Sequence, residues 1–446
     1  MSDEMAKLRK INNLLILGAG TDKSKGLDIP LAQELIKGIR DFLSDAPQGL
    51  KIDKLLRSFL KDLKFSYNNL SKEAVDQLLT TYETKKGWLL EIINKESNIQ
   101  QERDYLNLVK YFLEQESLNL DIEEKIRLKS EEIIKEKSNR KTVNLKSLKT
   151  TSLFRRLMER LFEIAIYNPD YKILNEIYNG CIDFEMLLLK YFIGFYNGTK
   201  INIKKYLYVS WTLWAFFCWK EKKILASPQL PFYDTIKKAD GVITLNYPSF
   251  AMRISKNHIY FHGELKKYIN LNNRMIETIK QKDYELNDFL KNTILKIIDF
   301  SKNSYIIPSI IPPFKMKPVL SKEFIDIWHN ASKMIEDAET LIIVGYSFNP
   351  VDDHFNDIIR KDKNIKEKKI FIINPDSKTI LSRSSEIFGY EEKDFILSDL
   401  NGKISYTKNN LTIIKAGATD INIDNLFEMA TISPPKQKNS FEEIKP

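Results

Sequence analysis

The run Leu14-Leu15-Ile16-Leu17, followed at once by Gly18-Ala19-Gly20, constrains the fold more than any other feature. An uninterrupted apolar run of this length reads as a strand buried on both faces, as in a parallel sheet. The glycines read as the turn at its carboxyl end. Pro30-Leu31-Ala32-Gln33-Glu34-Leu35-Ile36 has helical spacing and a proline suited to a first turn, so a helix is expected next. Strand, glycine turn and helix together are the layout of a nucleotide phosphate site. There the glycines let the chain approach a pyrophosphate and backbone N–H groups face it. An ordinary tight turn in an α/β sheet is the competing reading of the same residues.

Further along, the text changes character twice. From 46 to 235 glycine and proline are sparse. Stretches such as Tyr105-Leu106-Asn107-Leu108-Val109-Lys110-Tyr111-Phe112-Leu113 carry apolar residues at helical spacing. From 236 strand-like runs return: Gly241-Val242-Ile243-Thr244-Leu245, Thr340-Leu341-Ile342-Ile343-Val344-Gly345 and Lys369-Ile370-Phe371-Ile372-Ile373-Asn374. The expected architecture is therefore α/β, a doubly wound, Rossmann-like parallel sheet interrupted by a large all-helical insertion. The expected limits are 1–45 and 236–400 for the split sheet domain and 46–235 for the insertion. Residues 401–446 would form a C-terminal hairpin, turning at Asn401-Gly402, and a tail. In such sheets ligands bind outside the carboxyl ends of the strands. Gly18-Ala19-Gly20, Asn246-Tyr247, Gly345-Tyr346-Ser347 and Asn374 are thus expected to converge on one crevice.

The chain has 446 residues, enough for two or three domains, with 43% hydrophobic and 29% charged residues, as in a folded protein. Its two cysteines, Cys181 and Cys218, exclude a disulfide framework or a four-cysteine zinc site and read as buried thiols. No secretory signal precedes Leu8-Arg9-Lys10, and Tyr206 to Trp219 is shorter than the ~20 residues that cross a bilayer. A cytoplasmic protein with no membrane span is expected. The net charge of +9 is spread along the chain. Its densest run, Lys135 to Arg156, has few aromatics and reads as a solvated face, with nucleic-acid contact as the alternative.

Several motifs then occur in a familiar order. Gly18-Ala19-Gly20 with Gly26-Leu27 and Ile29-Pro30, Thr244-Leu245-Asn246-Tyr247, Phe261-His262-Gly263, Gly345-Tyr346-Ser347-Phe348 followed by Asp352, and Asn374-Pro375 together resemble the bacterial sirtuin-like family. The resemblance covers 13–45 and 236–380, not the helical segment. It implies an NAD site in which Asn246 contacts the nicotinamide ribose or orders a water and His262 is the base. Gly18, Ala19 and Gly20, with Thr21 and Asp22, would lie near the pyrophosphate. Gly345, Ser347, Asp352 and Asn374 would face the phosphates and the adenosine side. Asp22 stands where the family has serine, so it is expected to turn away or to pair with Lys23 or Lys25. Pro248 stands where the family often has aspartate.

The chemistry suited to these residues is cleavage of the nicotinamide–ribose bond. Positive charge develops on the sugar, so few protein groups are required. A histidine with an ordinary pKa of ~6.5 serves as base near neutrality. An asparagine can both donate and accept, which suits ordering a water against a ribose hydroxyl. The products would be nicotinamide and linear or cyclic ADP-ribose. Deacylating sirtuins carry a four-cysteine zinc ribbon that this chain cannot supply. The resemblance implies antiphage defence by NAD depletion, with no metal cofactor. The size and aromatic content of the helical segment predict a gate or a homo-oligomer. An activating partner is expected: a phage protein, a nucleotide signal or a helicase-like ATPase. The alternatives are a non-catalytic NAD or ADP-ribose sensor and a nucleic-acid-associated effector.

His258, His329 and His354 read as surface or core residues, for they lack metal-ligand spacing. Trp211, Trp214, Phe216, Phe217 and Trp219 read as core or subunit interface. Ile310 to Lys315 reads as a rigid proline turn or one wall of the pocket.

Overall fold

The computed structural model describes residues 11–63, 65–67, 70–80, 82–114, 133, 150–168, 170–181, 189–193, 200–227, 229–279, 285–312 and 321–431. The chain forms two compact units. One runs to Lys61 and resumes at Leu207, and the other is Asp62–Tyr206.

The first unit is α/β. Its main sheet has eight strands in the order β3-β2-β1-β7-β8-β11-β10-β9. These are β1 (Asn13–Leu17), β2 (Gly241–Thr244), β3 (His258–Tyr260), β7 (Thr340–Val344), β8 (Lys369–Ile373), β9 (Ile396–Leu400), β10 (Lys403–Lys408) and β11 (Leu411–Ile414). The strands from β3 to β11 pair in parallel, and β10 and β9 close the edge antiparallel. β1 sets the register for both neighbours: Leu15 lies opposite Val242 on one side and Ile342 on the other. The central strands are apolar throughout because both faces are covered. Leu14, Ile16, Ile243, Leu341, Ile343, Ile370 and Ile372 share one continuous core. Strand order reverses between β1 and β7. This is the switch point at which open α/β sheets form a crevice.

A second, antiparallel sheet orders β5 (Met275–Thr278), β4 (Gly263–Asn270) and β6 (Ile306–Ile310). The helix Lys200–Leu225 presents Trp211 and Trp214 to it. Their indole N–H groups donate to Ile306 O (3.1 Å) and Leu265 O (2.8 Å), so both rings are core. Helix ends follow their capping chemistry. The Ser321 side chain accepts from Glu323 N, Asp376 accepts from Thr379 N, and Gly389 at φ +72° closes Ser377–Phe388.

Three boundaries fall elsewhere than expected. The helix after the glycine turn is a single turn, Ala19–Asp22. The longer helix starts at Ala32, beyond Pro30. Pro47–Phe59 and the helix from Leu207 onward belong with the sheet, so the separate helical unit is shorter than 46–235. The Asn401-Gly402 hairpin forms, with φ of +54° and +75°, and its strands extend the main sheet rather than standing apart.

The second unit is helical in its described parts: Ser71–Thr80, Tyr82–Ile93, Gln100–Glu114, Thr150–Tyr167 and Lys172–Cys181. Val75, Leu78, Leu89, Val109, Leu157, Leu161, Phe162 and Ile177 share its core. Cys181 lies in this core, and burial pushes its thiol up to about 12.

Candidate functional site

The parallel strands deliver their carboxyl ends to one edge of the sheet, and the motif residues follow them. Gly18 follows β1, Asn246 follows β2, His262 follows β3, Gly345 follows β7 and Asn374 follows β8.

The loops after β1 and β7 pack backbone on backbone. Gly18 N–H donates to Val344 O (2.9 Å), Gly20 N–H to Gly345 O (2.9 Å) and Thr21 N–H to Gly18 O (3.0 Å). A Cβ on Gly18 would meet Gly345 O at 2.6 Å, and one on Gly20 would meet Gly345 Cα at 2.7 Å. Gly345 sits at φ +64°, and its Cβ would meet Thr21 N at 2.5 Å. The close approach of the two loops therefore accounts for all three glycines. Three N–H groups expected to face a pyrophosphate are spent inside the protein.

Asn246 is 8% exposed and is bound to the β1 loop. Its Nδ2 donates to Gly18 O and to Thr21 Oγ1, each at 3.0 Å, and its own N–H donates to Thr244 Oγ1 at 3.1 Å. Beneath it lies a buried acid. Asp22, 2% exposed, accepts a hydrogen bond from the Tyr233 hydroxyl. Burial pushes Asp22 up to about 7. The Tyr233 hydrogen bond and the neighbouring Asn246 amide oppose that rise, and the nearby Glu221 carboxylate adds to it. Tyr233 itself is held well above its ordinary value, by burial first and by Asp22 second. The expected lysine partners are not used: Lys23 Nζ pairs with Glu34 Oε2 at 2.6 Å.

His262, 5% exposed, sits between β3 and β4 in a clamped backbone. Its carbonyl accepts from Ile311 N–H at 2.8 Å. Gly263 at φ +84° brings the chain so close to β6 that a Cβ there would fall 2.0 Å from Ser309 O. Asp352 Oδ1 lies 3.1 Å from His262 Nε2. Asp352 ends the turn Pro350–Asp352, which is capped by Asn349 Oδ1 accepting from Val351 N–H (3.1 Å). Asn356 braces the same loop, donating to Asn349 O (3.2 Å) and accepting from the Tyr346 hydroxyl (2.7 Å). Tyr247, adjacent to Asn246, donates to Ile311 O at 2.8 Å. Burial raises its hydroxyl well above the ordinary value, and the Asp352 charge adds to this.

The structure thus brings Asn246, Thr21 and Asp22 into one cluster and His262 and Asp352 into another. Asp352, expected among the cofactor contacts, lies 3.1 Å from the histidine Nε2. The expected phosphate-side groups hold their own loops. Asn374 Nδ2 donates to Tyr346 O (3.2 Å), and Ser347 O accepts from Arg383 Nη1 (2.5 Å).

Sequence reasoning missed Tyr233, while His354, read as a surface or core residue, is half-buried beside the site. The His354 ring lies 5.7 Å from that of His262 and 5.1 Å from Phe261. The available signal was Asp352-Asp353-His354 directly after the Gly345 motif. His258 Nδ1 lies 3.0 Å from Ser255 O, and His329 is exposed. Residues 135–149 of the basic run, Pro313 to Lys315 and the tail after 431 lie outside the described residues. Of that run, Arg155 pairs with Asp76 at 2.5 Å.

Two open clefts lie elsewhere. One of about 810 Å³ is at the amino ends of β1 and β7, lined by Asn12, Asp240, Glu339 and Lys368. One of about 430 Å³ lies beside β3. Among the described residues no group of three or more His, Cys, Asp or Glu is arranged to hold a metal, and no helix is long and apolar enough to cross a membrane. Comparisons with protein-family models, curated proteins and solved structures find no match to this chain.

Proposed function

We propose that this chain is an NAD glycohydrolase of sirtuin type. The observation that carries the reading is the His262–Asp352 contact of 3.1 Å at the carboxyl edge of a parallel sheet, on the edge that also holds Asn246. The order of the five motifs supports it.

In this reading the Asp352 carboxylate, 3.1 Å from Nε2, orients the imidazole, and the tautomer with its proton on Nε2 is the one required. Nδ1 is then the basic nitrogen. Asn246 presents Oδ1, since both Nδ2 protons are engaged. A water bound by Asn246 attacks C1′ of the ribose as the C1′–nitrogen bond to nicotinamide breaks. The water proton passes to His262, and nicotinamide leaves as the neutral base. Contacts to the pyrophosphate come from groups other than the N–H donors of Gly18, Gly20 and Thr21.

NAD is thus a substrate, and no metal takes part in this reading. Free turnover would empty a cell of NAD, so restraint by an activating partner and assembly of several copies of the chain belong to the proposal, as does a role in antiphage defence. Nicotinamide and ADP-ribose formation from NAD, with and without His262→Ala, tests the activity. The burial of both Asn246 and His262 favours one second reading, in which NAD or ADP-ribose is held without turnover. Nucleotide binding that survives in a parent chain releasing no nicotinamide would select it.

A further inference from the structure

We propose that Tyr233 and Asp22 form a positioning pair. They hold the Asn246 side chain with its nitrogen inward and its carbonyl oxygen outward, to accept a hydrogen bond from the attacking water or a ribose hydroxyl. This rests on the reading of Asn246 as a substrate-facing group.

The orientation follows from counting protons. The Thr21 hydroxyl donates to Gly18 O at 2.7 Å, so its oxygen is left to accept. Asn246 Nδ2 supplies that bond and a second to Gly18 O. Rotating the amide by half a turn would set Oδ1 against the Gly18 carbonyl, two acceptors face to face in a buried place. The amide therefore has one orientation for as long as Thr21 keeps its place. Thr21 and Asp22 are neighbours in the single turn Ala19–Asp22, which is too short to hold itself. Its anchor is Tyr233. The Tyr233 hydroxyl donates to Asp22 Oδ1 and lies 3.4 Å from Thr21 Oγ1. Its ring is fixed edge-on against Phe232, with centroids 5.3 Å apart, and packs against Phe250 at 5.4 Å.

The electrostatics agree with this geometry. The Tyr233 hydroxyl faces Asp22 with a hydrogen bond, Thr21 and Asn246 lie beside it as polar neighbours, and Glu221 of the helix Lys200–Leu225 faces it with charge. Tyr260 of β3 feels both Asp22 and Glu221. A carboxyl in this setting exchanges its proton near neutrality, and Asn246 would sense that exchange directly. Packing alone would require neither a titrating acid nor a hydroxyl on residue 233.

The test reads the Asn246 side-chain amide by NMR in the full chain labelled with ¹⁵N-asparagine, its signal assigned by loss in Asn246→Ala. In the parent the amide shift should follow one titration with a midpoint about 7. In Asp22→Asn that titration should vanish. In Tyr233→Phe, which keeps the ring, amide hydrogen exchange should quicken about tenfold or more. The kcat for NAD should fall by a similar factor, with KM little changed. The parent titration and Asp22→Asn decide the matter even if Tyr233→Phe does not fold. An amide that neither titrates nor responds to either substitution would overturn the proposal. If the amide behaves as described while the parent releases no nicotinamide, the positioning stands and the glycohydrolase reading falls.

Discussion

His262 and Asp352 meet across the sheet. His262 follows β3 and Asp352 follows β7, and β2 and β1 lie between those two strands, yet Nε2 and Oδ1 are 3.1 Å apart. The β7 loop therefore reaches back over the carboxyl ends of β1 and β2. That reach brings Asp352 onto His262, which is buried at the carboxyl edge of the sheet. It also gives the histidine a carboxylate from the far side of the switch point.

If Asp352 orients the base, removing its charge should cost rate rather than binding. Asp352→Asn should lower kcat for nicotinamide release by about 10²–10⁴ and change KM for NAD little. His262→Ala should abolish release. Steady-state kinetics on the two variants checks this. A fall confined to KM would make Asp352 a substrate contact instead.

The glycines make a prediction about stability. Gly18→Ala and Gly345→Ala each drive a Cβ into backbone of the opposing loop, at 2.6 Å and 2.5 Å. Each should cost roughly 3 kcal/mol or more. Gly402→Ala, at φ +75° with open space around it, should cost only about 1 kcal/mol. Urea midpoints of the three variants rank these costs. Equal costs would mean that the loops separate easily.

Asp22 gives the stability a pH slope. Its folded pKa, about 7, lies above its ordinary 3.8, so between those values the folded state holds a proton that the unfolded chain releases. The contribution is full below about pH 4 and is lost as pH rises through 7, by at most roughly 4 kcal/mol. Asp22→Asn should remove this slope. Urea titrations of parent and variant at both ends of that window measure the difference. Parallel curves would show that Asp22 titrates normally.

The helical unit should respond to damage on its own. Leu161 is fully buried in its core, so Leu161→Ala should cost about 2–5 kcal/mol there. Hydrogen exchange should speed up in the helices Ser71–Thr80, Gln100–Glu114, Thr150–Tyr167 and Lys172–Cys181 and leave β1 and β7 protected. Loss of protection in both units together would show that they unfold as one.

The sheet was legible because its central strands are buried on both faces. Leu14–Leu17, Val242-Ile243, Leu341–Val344 and Ile370–Ile373 are continuous apolar runs that need no partner to be recognised. Asn401-Gly402 was legible as turn chemistry. The small sheet was not: Met275–Thr278 is mostly exposed and carries no alternation. The positions of Asn246 and His262 followed from strand ends and motif order. Their partners did not. Asp22 and Tyr233 lie 211 residues apart, and no local pattern links them. The aspartate in the glycine motif was visible, but only tertiary packing supplies the tyrosine it turns toward.

The most direct test of the account is nicotinamide release from NAD, followed in the purified chain and in cells under phage challenge, for the parent beside His262→Ala and Asn246→Ala. The account predicts release by the parent and its loss in both variants at unchanged folding. Release that persists in either variant, or its absence from the parent in both settings, would contradict it.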